Sequence, residues 1–220
     1  MLARLALKEI RETAWIAGLA LVANLYFVVV FTGVGLPEEM RGDWYLYPQL
    51  PFPDGANVSF IVIAMCLAAL LGLRQSLGEA VFGTYQFLLN RPASRNRLVG
   101  VKLLVGLGWC LGISALPILL YAWWAATPST HASPFEWSMT STAWRGWLGA
   151  TVLYLGTFLA GLRPARWVGT RLLPMVAGLG AALFCLIPLW WWSVELPTIL
   201  IVNVLLLAVI LYVARTRDYS

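Results

Sequence analysis

The sequence predicts an all-α integral membrane protein with six transmembrane helices. Three observations predict it: the composition, the spacing of uncharged runs and the positions of the cations. Of the 220 residues, 60% are hydrophobic and only 11% are charged, whereas a soluble domain carries about 25% charged residues. This composition excludes a water-soluble globule and a disordered chain.

Six stretches without Asp, Glu, Lys or Arg reach the roughly 17 residues that a spanning helix needs. They are residues 13–37, 55–73, 103–135, 146–162, 172–194 and 196–214. They are continuously apolar, which favours helices over the alternating strands of a barrel. Within one transmembrane domain, residues 1–220, the spans are predicted at about residues 15–35, 56–74, 101–124, 145–162, 170–192 and 196–214.

The cations predict the orientation. Thirteen of the 15 Lys and Arg residues fall in the N-terminal segment, in the connections after the second and fourth spans, and in the C-terminal tail; the others are Arg41 and Arg145. Because cytoplasmic connections are rich in Lys and Arg, both termini are expected to be cytoplasmic. The predicted location is the cell membrane (plasma or inner), as a multi-pass protein.

Residues 1–14 are predicted to form an amphipathic interfacial helix. Arg4, Lys8 and Arg11 follow i, i+4, i+7 spacing and share a face, while Leu5 and its apolar neighbours supply the other side. Such a helix can lie in the interface with its cations near anionic headgroups. An ordinary cationic flank that happens to be helical is the alternative.

The connection between the second and third spans, residues 80–97, is richer than a simple loop. Its apolar side chains recur at helical spacing: Phe82, Tyr85, Leu88 and Leu89. Pro92 then ends the helix, because the residue before a proline disfavours the α region, and Ser94 can cap the next helix. The segment therefore predicts a cytoplasmic hairpin, and its cations, Arg91, Arg95 and Arg97, indicate a docking surface.

Catalysis and cofactor binding by this chain are not expected. It has a single histidine, His131, and no Gly-x-x-x-x-Gly-Lys-Ser/Thr loop, so neither a two-histidine zinc helix nor a P-loop can form. The polar residues deep in the spans, Asn24, Ser114 and Asn203, are predicted to form interhelical hydrogen bonds.

Small residues recur four apart within three spans, on single helix faces: Gly108 and Gly112, Gly156 and Ala160, and Gly178 and Ala182. Such pairs allow close helix approach. Packing within one chain and dimerisation both explain this spacing.

The second connection resembles the corresponding segment of ABC-2 type transporter permeases. In that family a Glu is followed by Gly-Thr, Leu-Leu, Pro-x-Ser-Arg and a Lys at the start of the next span. The matching positions here are Glu79, Gly83-Thr84, Leu88-Leu89, Pro92-Ala93-Ser94-Arg95 and Lys102. The six spans and the amphipathic N-terminus also resemble that family.

The resemblance implies the membrane subunit of an ATP-driven exporter. A separate ATPase subunit would supply ATP and Mg²⁺ chemistry, and a second permease copy or a homologous permease would complete the assembly; no nucleic acid is involved. The implied ATPase-docking residues are Tyr85, Leu88, Leu89, Arg91, Pro92, Ser94, Arg95 and Arg97. The implied hairpin-shaping residues are Glu79, Gly83 and Lys102. Unlike many members, this chain has too few residues between its last two spans, 193–197, for a re-entrant hairpin.

Two other functions compete with this one. A non-transporting scaffold would bind partners through the outer segment 36–56, which carries the aromatic residues Trp44, Tyr45, Tyr47 and Phe52. An ion channel or secondary transporter is disfavoured, because the spans are expected to lack the buried ions and broken helices of such pathways.

Overall fold

The computed structural model describes residues 2–33, 51–81, 95–128, 134–163, 168–187 and 194–216. Six α-helices make up most of these residues, with one 3₁₀ turn at Trp137–Thr140 and no strand among them. The helices are α1 (Leu2–Thr32), α2 (Asp54–Val81), α3 (Arg95–Ala126), α4 (Ser141–Leu162), α5 (Val168–Phe184) and α6 (Leu196–Thr216). The predicted all-helical class is confirmed for this part of the chain.

Four helices are long and apolar enough to cross a membrane. They contain the segments Leu2–Thr32, Asp54–Gly78, Asn96–Ala126 and Leu196–Thr216, and α5 contains a shorter apolar helix, Gly169–Phe184. These helices indicate a multi-pass membrane protein. α4 has 22 residues but is not one of the four.

α4 is the central helix of the bundle. All its residues from 149 to 162 are buried, and α2, α3, α5 and α6 pack around it. α1 packs on the outside, against α2 and α3. Because protein rather than lipid surrounds α4, this helix tolerates Gly, Thr and Tyr at positions where a lipid-facing helix favours larger apolar residues.

The contact between α4 and α5 depends on glycine. A Cβ added at Gly156 would lie 2.7 Å from the Pro174 carbonyl oxygen and 3.2 Å from the Gly178 Cα. These small residues therefore serve packing within the chain. In contrast, a Cβ at Gly108 or Gly112 would have nothing within 4 Å, so the α3 pair is not used in this packing.

The helices alternate in direction, which places their ends in two groups. At the end where α1 begins, Leu5 packs with Leu98, and the Asn96 side-chain oxygen accepts hydrogen bonds from the Arg215 guanidinium at 2.7 and 2.8 Å. α1 therefore begins, and α6 ends, at one end of the bundle, which we name the amino-terminal end. At the opposite end, four aromatic rings pack edge to face with centroids 4.9 to 6.5 Å apart: Phe31, Phe52, Phe60 and Tyr121.

Two helix boundaries differ from those predicted. The interfacial segment 1–14 and the first span form one continuous helix, because Leu5 packs with Leu98 of α3 and thereby holds the first turns in line with the bundle. α5 ends at Phe184, before the predicted limit of 192. The following residues form tight turns instead, with the Ile187 amide donating to the Phe184 carbonyl at 3.1 Å, as expected where a proline comes next.

Candidate functional site

A buried polar network joins four helices near the amino-terminal end. Glu9 of α1 lies 3.5 Å from the Lys102 ammonium of α3, and the two side chains are only 2% and 7% exposed. The Lys102 Nζ donates to the Gln75 carbonyl, and the Gln75 Nε2 donates back to the Lys102 carbonyl, both at 3.2 Å. The Tyr154 hydroxyl of α4 donates to the Gln75 Oε1 at 2.6 Å. We name these four residues the polar network.

Neighbouring residues support the polar network on both sides. The Thr13 hydroxyl donates to the Glu9 carbonyl at 2.6 Å and accepts from the Trp109 indole at 3.1 Å. Gly106 provides the room that the Tyr154 hydroxyl occupies, since a Cβ there would overlap it. The network is thus built into helix packing and is not an isolated surface contact.

The polar network links α1, α2 and α3 through a buried ion pair and buried hydrogen bonds. A buried charge is costly unless it is paired, so the Glu9–Lys102 ion pair holds α1 and α3 together, although the Glu9 Oε1 and the Lys102 Nζ, 3.5 Å apart, do not hydrogen-bond each other. The reciprocal Gln75–Lys102 bonds hold α2 to α3 in the same way. Separating one of these three helices from the others would break the Glu9–Lys102 ion pair or the Gln75–Lys102 hydrogen bonds.

A second buried ion pair lies near the opposite end. The Arg145 Nε of α4 donates to the Glu195 Oε2 at 2.8 Å, and the side chains are 10% and 3% exposed. Glu195 belongs to the turn directly before α6. The pair therefore fixes the start of α6 against the start of α4.

Interhelical hydrogen bonds were predicted for Asn24, Ser114 and Asn203, and the structure confirms the one at Asn203. The Thr151 hydroxyl of α4 donates to the Asn203 Oδ1 of α6 at 3.1 Å. Asn24 and Ser114 are buried, but their side chains have no hydrogen-bond partner among the described residues, so the prediction is not met for them.

The sequence-predicted site residues fall into two groups. Arg4, Arg11 and Arg97 are exposed, Lys8 pairs with Glu12 at 3.5 Å, and Lys102 is buried in the polar network. Glu79 lies near the end of α2, and Arg95 begins α3. The remaining predicted positions lie outside the described residues: Gly83, Tyr85, Leu88, Leu89, Arg91, Pro92 and Ser94.

Phe52 has a different role from the one the scaffold hypothesis requires. It is buried and stacks edge to face on Tyr121, with ring centroids 4.9 Å apart. It therefore belongs to the internal aromatic cluster and is not presented to a partner.

Sequence reasoning missed Glu9, Gln75 and Tyr154. The signal for Glu9 was its spacing from Leu5 and Ile16, which are buried on the same stripe of α1. A carboxylate on a buried stripe needs a buried cation nearby. The expectation that the spans lack buried ions is wrong, because Lys102 lies within the predicted third span.

Within the described residues, no group of three or more His, Cys, Asp or Glu side chains could hold a metal ion. Comparison with protein-family models, with curated proteins and with solved structures finds no match for this chain. The resemblance to ABC-2 permeases therefore depends on the motif residues quoted above.

Proposed function

We propose that this chain is the permease subunit of an ATP-driven ABC-2 type exporter. A separate ATPase subunit docks on residues 80–97 and drives movement of the substrate across the membrane. The observation that carries the proposal is the position of the polar network at the base of that segment. Gln75 lies six residues before α2 ends at Val81, and Lys102 lies seven residues after α3 begins at Arg95.

This position suits the transmission of force. A pull on residues 80–97 acts on α2 and α3 together, because Gln75 and Lys102 bond to each other reciprocally. Glu9 passes the displacement to α1 and Tyr154 passes it to α4, on which α5 and α6 pack. Packed helices joined by buried bonds are the kind of contiguous network that can carry such coupling.

The positive-inside pattern supports the orientation that docking requires. Thirteen of the 15 Lys and Arg residues belong to segments on one predicted side, which we propose is cytoplasmic. ATP and Mg²⁺ would be bound by the partner ATPase, and a second permease copy or a homologous permease would complete the transporter.

The test is the retention of an ATPase that co-purifies with the full-length chain. Arg91→Ala/Arg95→Ala is expected to weaken ATPase binding, whereas Arg163→Ala/Arg166→Ala removes two cations from the same predicted side and is expected to leave it unchanged. Tyr154→Phe is expected to keep the ATPase bound but reduce its stimulation. Undiminished binding and stimulation in the Arg91/Arg95 variant would contradict the docking assignment.

The Glu9–Lys102 pair also supports a second candidate, a secondary transporter, because this ion pair is buried between helices at one end of the bundle, where an ion pathway could open. The energy source separates the two functions. The exporter requires ATP hydrolysis by its partner, whereas a secondary transporter would take up substrate along an ion gradient in proteoliposomes that contain the purified chain alone.

A further inference from the structure

One face of α1 changes from cationic to apolar along its length. Its first turns line an open groove of about 550 Å³, whose described lining residues are Arg4, Leu7, Lys8, Arg11 and Glu12. These described residues bring three cations and one carboxylate to the groove. Lys8 pairs with Glu12 at 3.5 Å, while Arg4 and Arg11 have no acidic partner among the described residues.

The same face continues as an apolar surface. At 100° per residue, Arg4, Lys8 and Arg11 fall within one narrow arc. The exposed apolar residues Trp15, Val22, Tyr26 and Val29 fall within that arc too, and Leu19 lies about 20° beyond it. From Trp15 to Val29 the helix rises about 21 Å, more than the ~15 Å of one leaflet's hydrocarbon.

The back of the helix explains why this face stays open. The residues on the back of α1 are buried against the bundle: Leu5, Glu9, Thr13 and Ile16. The cationic side of α1 therefore faces away from the bundle. Trp15, 58% exposed, lies one turn beyond Arg11, and such a ring favours the level of the lipid headgroups. The cations of the groove then lie at headgroup depth.

We propose that this face of α1 is a binding site for an anionic phospholipid. The phosphate and headgroup occupy the groove between Arg4 and Arg11, and an acyl chain lies along Trp15, Leu19 and Val22. Guanidinium groups suit phosphate because they bond it bidentately. A free phosphate would match only the groove, whereas a phospholipid also matches the apolar continuation. This site requires no ATPase and is independent of the proposed exporter function.

The test uses the full-length chain in nanodiscs of phosphatidylcholine mixed with phosphatidylglycerol. Native mass spectrometry measures which lipid stays bound. The wild-type chain is expected to prefer phosphatidylglycerol, and Arg4→Gln/Arg11→Gln to lose about 25-fold of that preference. This corresponds to about fivefold, or about 1 kcal/mol, for each cation removed.

The matched control is Arg163→Gln, which removes an exposed cation at the end of α4 and is expected to keep the preference. Arg4→Glu/Arg11→Glu is expected to reverse it, and an unchanged melting temperature shows that each variant still folds. Equal retention of the two lipids by the wild type would overturn the proposal. So would the same preference in all variants, or displacement of phosphatidylglycerol by inorganic phosphate alone.

Discussion

The two ends of the bundle use buried ion pairs in different ways. Near the amino-terminal end, Glu9 and Lys102 are 3.5 Å apart and share their bonds with Gln75 and Tyr154, so four helices meet in one network. Near the opposite end, Arg145 and Glu195 are joined directly at 2.8 Å, and this pair ties α4 to the turn before α6. The first arrangement links four helices to one another, whereas the second links α4 to the start of α6.

This difference indicates where the movements of several helices are expected to be linked to one another. The polar network lies at the base of the segment that connects α2 and α3, and α4 carries residues of both arrangements, Tyr154 and Arg145. Breaking the network is therefore expected to affect several helices at once, while breaking the clamp (the Arg145–Glu195 pair) is expected to affect α6.

The largest expected effect is that of Lys102→Met. It removes the cation that lies 3.5 Å from the buried Glu9 carboxylate, and breaking a buried ion pair costs about 3–5 kcal/mol of unfolding free energy. Thermal unfolding in detergent measures the loss. Hydrogen exchange is expected to accelerate in α1, α2 and α3 together.

The matched control for Lys102→Met is Glu9→Gln/Lys102→Met, which removes both charges and is expected to recover most of the stability. A Lys102→Met variant as stable as the wild type would show that the Glu9–Lys102 ion pair does not stabilise the fold.

Arg145→Met is expected to cost less, about 2–3 kcal/mol, because it removes the charged hydrogen bond from the Arg145 Nε to the Glu195 carboxylate. Faster hydrogen exchange is expected in the first turns of α6, with α1 protected as in the wild type. Loss of protection throughout the bundle would remove the distinction between clamp and network.

Gly156→Ala tests the central helix that connects the two ends. Its methyl group would lie 2.7 Å from the Pro174 carbonyl oxygen, and such overpacking costs about 1–3 kcal/mol. Gly108→Ala is the matched control, since its methyl group meets nothing within 4 Å. That variant is expected to be neutral or stabilised by up to about 1 kcal/mol, the helix preference of Ala over Gly. Equal melting temperatures for the two variants would contradict the packing.

Tyr154→Phe is expected to have the smallest effect, about 1 kcal/mol, because it removes one neutral hydrogen bond to Gln75. A double-mutant cycle with Gln75→Leu measures the coupling between the two side chains. Strict additivity would show that Tyr154 is not a member of the network.

The apolar runs were sufficient to predict the approximate positions of the six helices that the described residues contain, because a bilayer demands about 17–25 apolar residues for each span. Four of these helices are long and apolar enough to cross a membrane. The same runs misplaced the end of α5 and divided α1, since charge-free length does not report where a helix turns. For the site, Lys102 was singled out by its motif. Gln75 and Tyr154 were not, because their partners lie 27 and 79 residues away in sequence.

The sequence by itself determined the helical class, the approximate positions of the six helices that the described residues contain, and the asymmetric distribution of the cations. All three follow from the local cost of placing polar groups in a bilayer. Only the tertiary structure decided that α4 is central, that Gly156 and Gly178 pack within the chain, and that Glu9 meets Lys102. These outcomes depend on which helix faces meet, and this is set by the fit of side chains from distant parts of the chain.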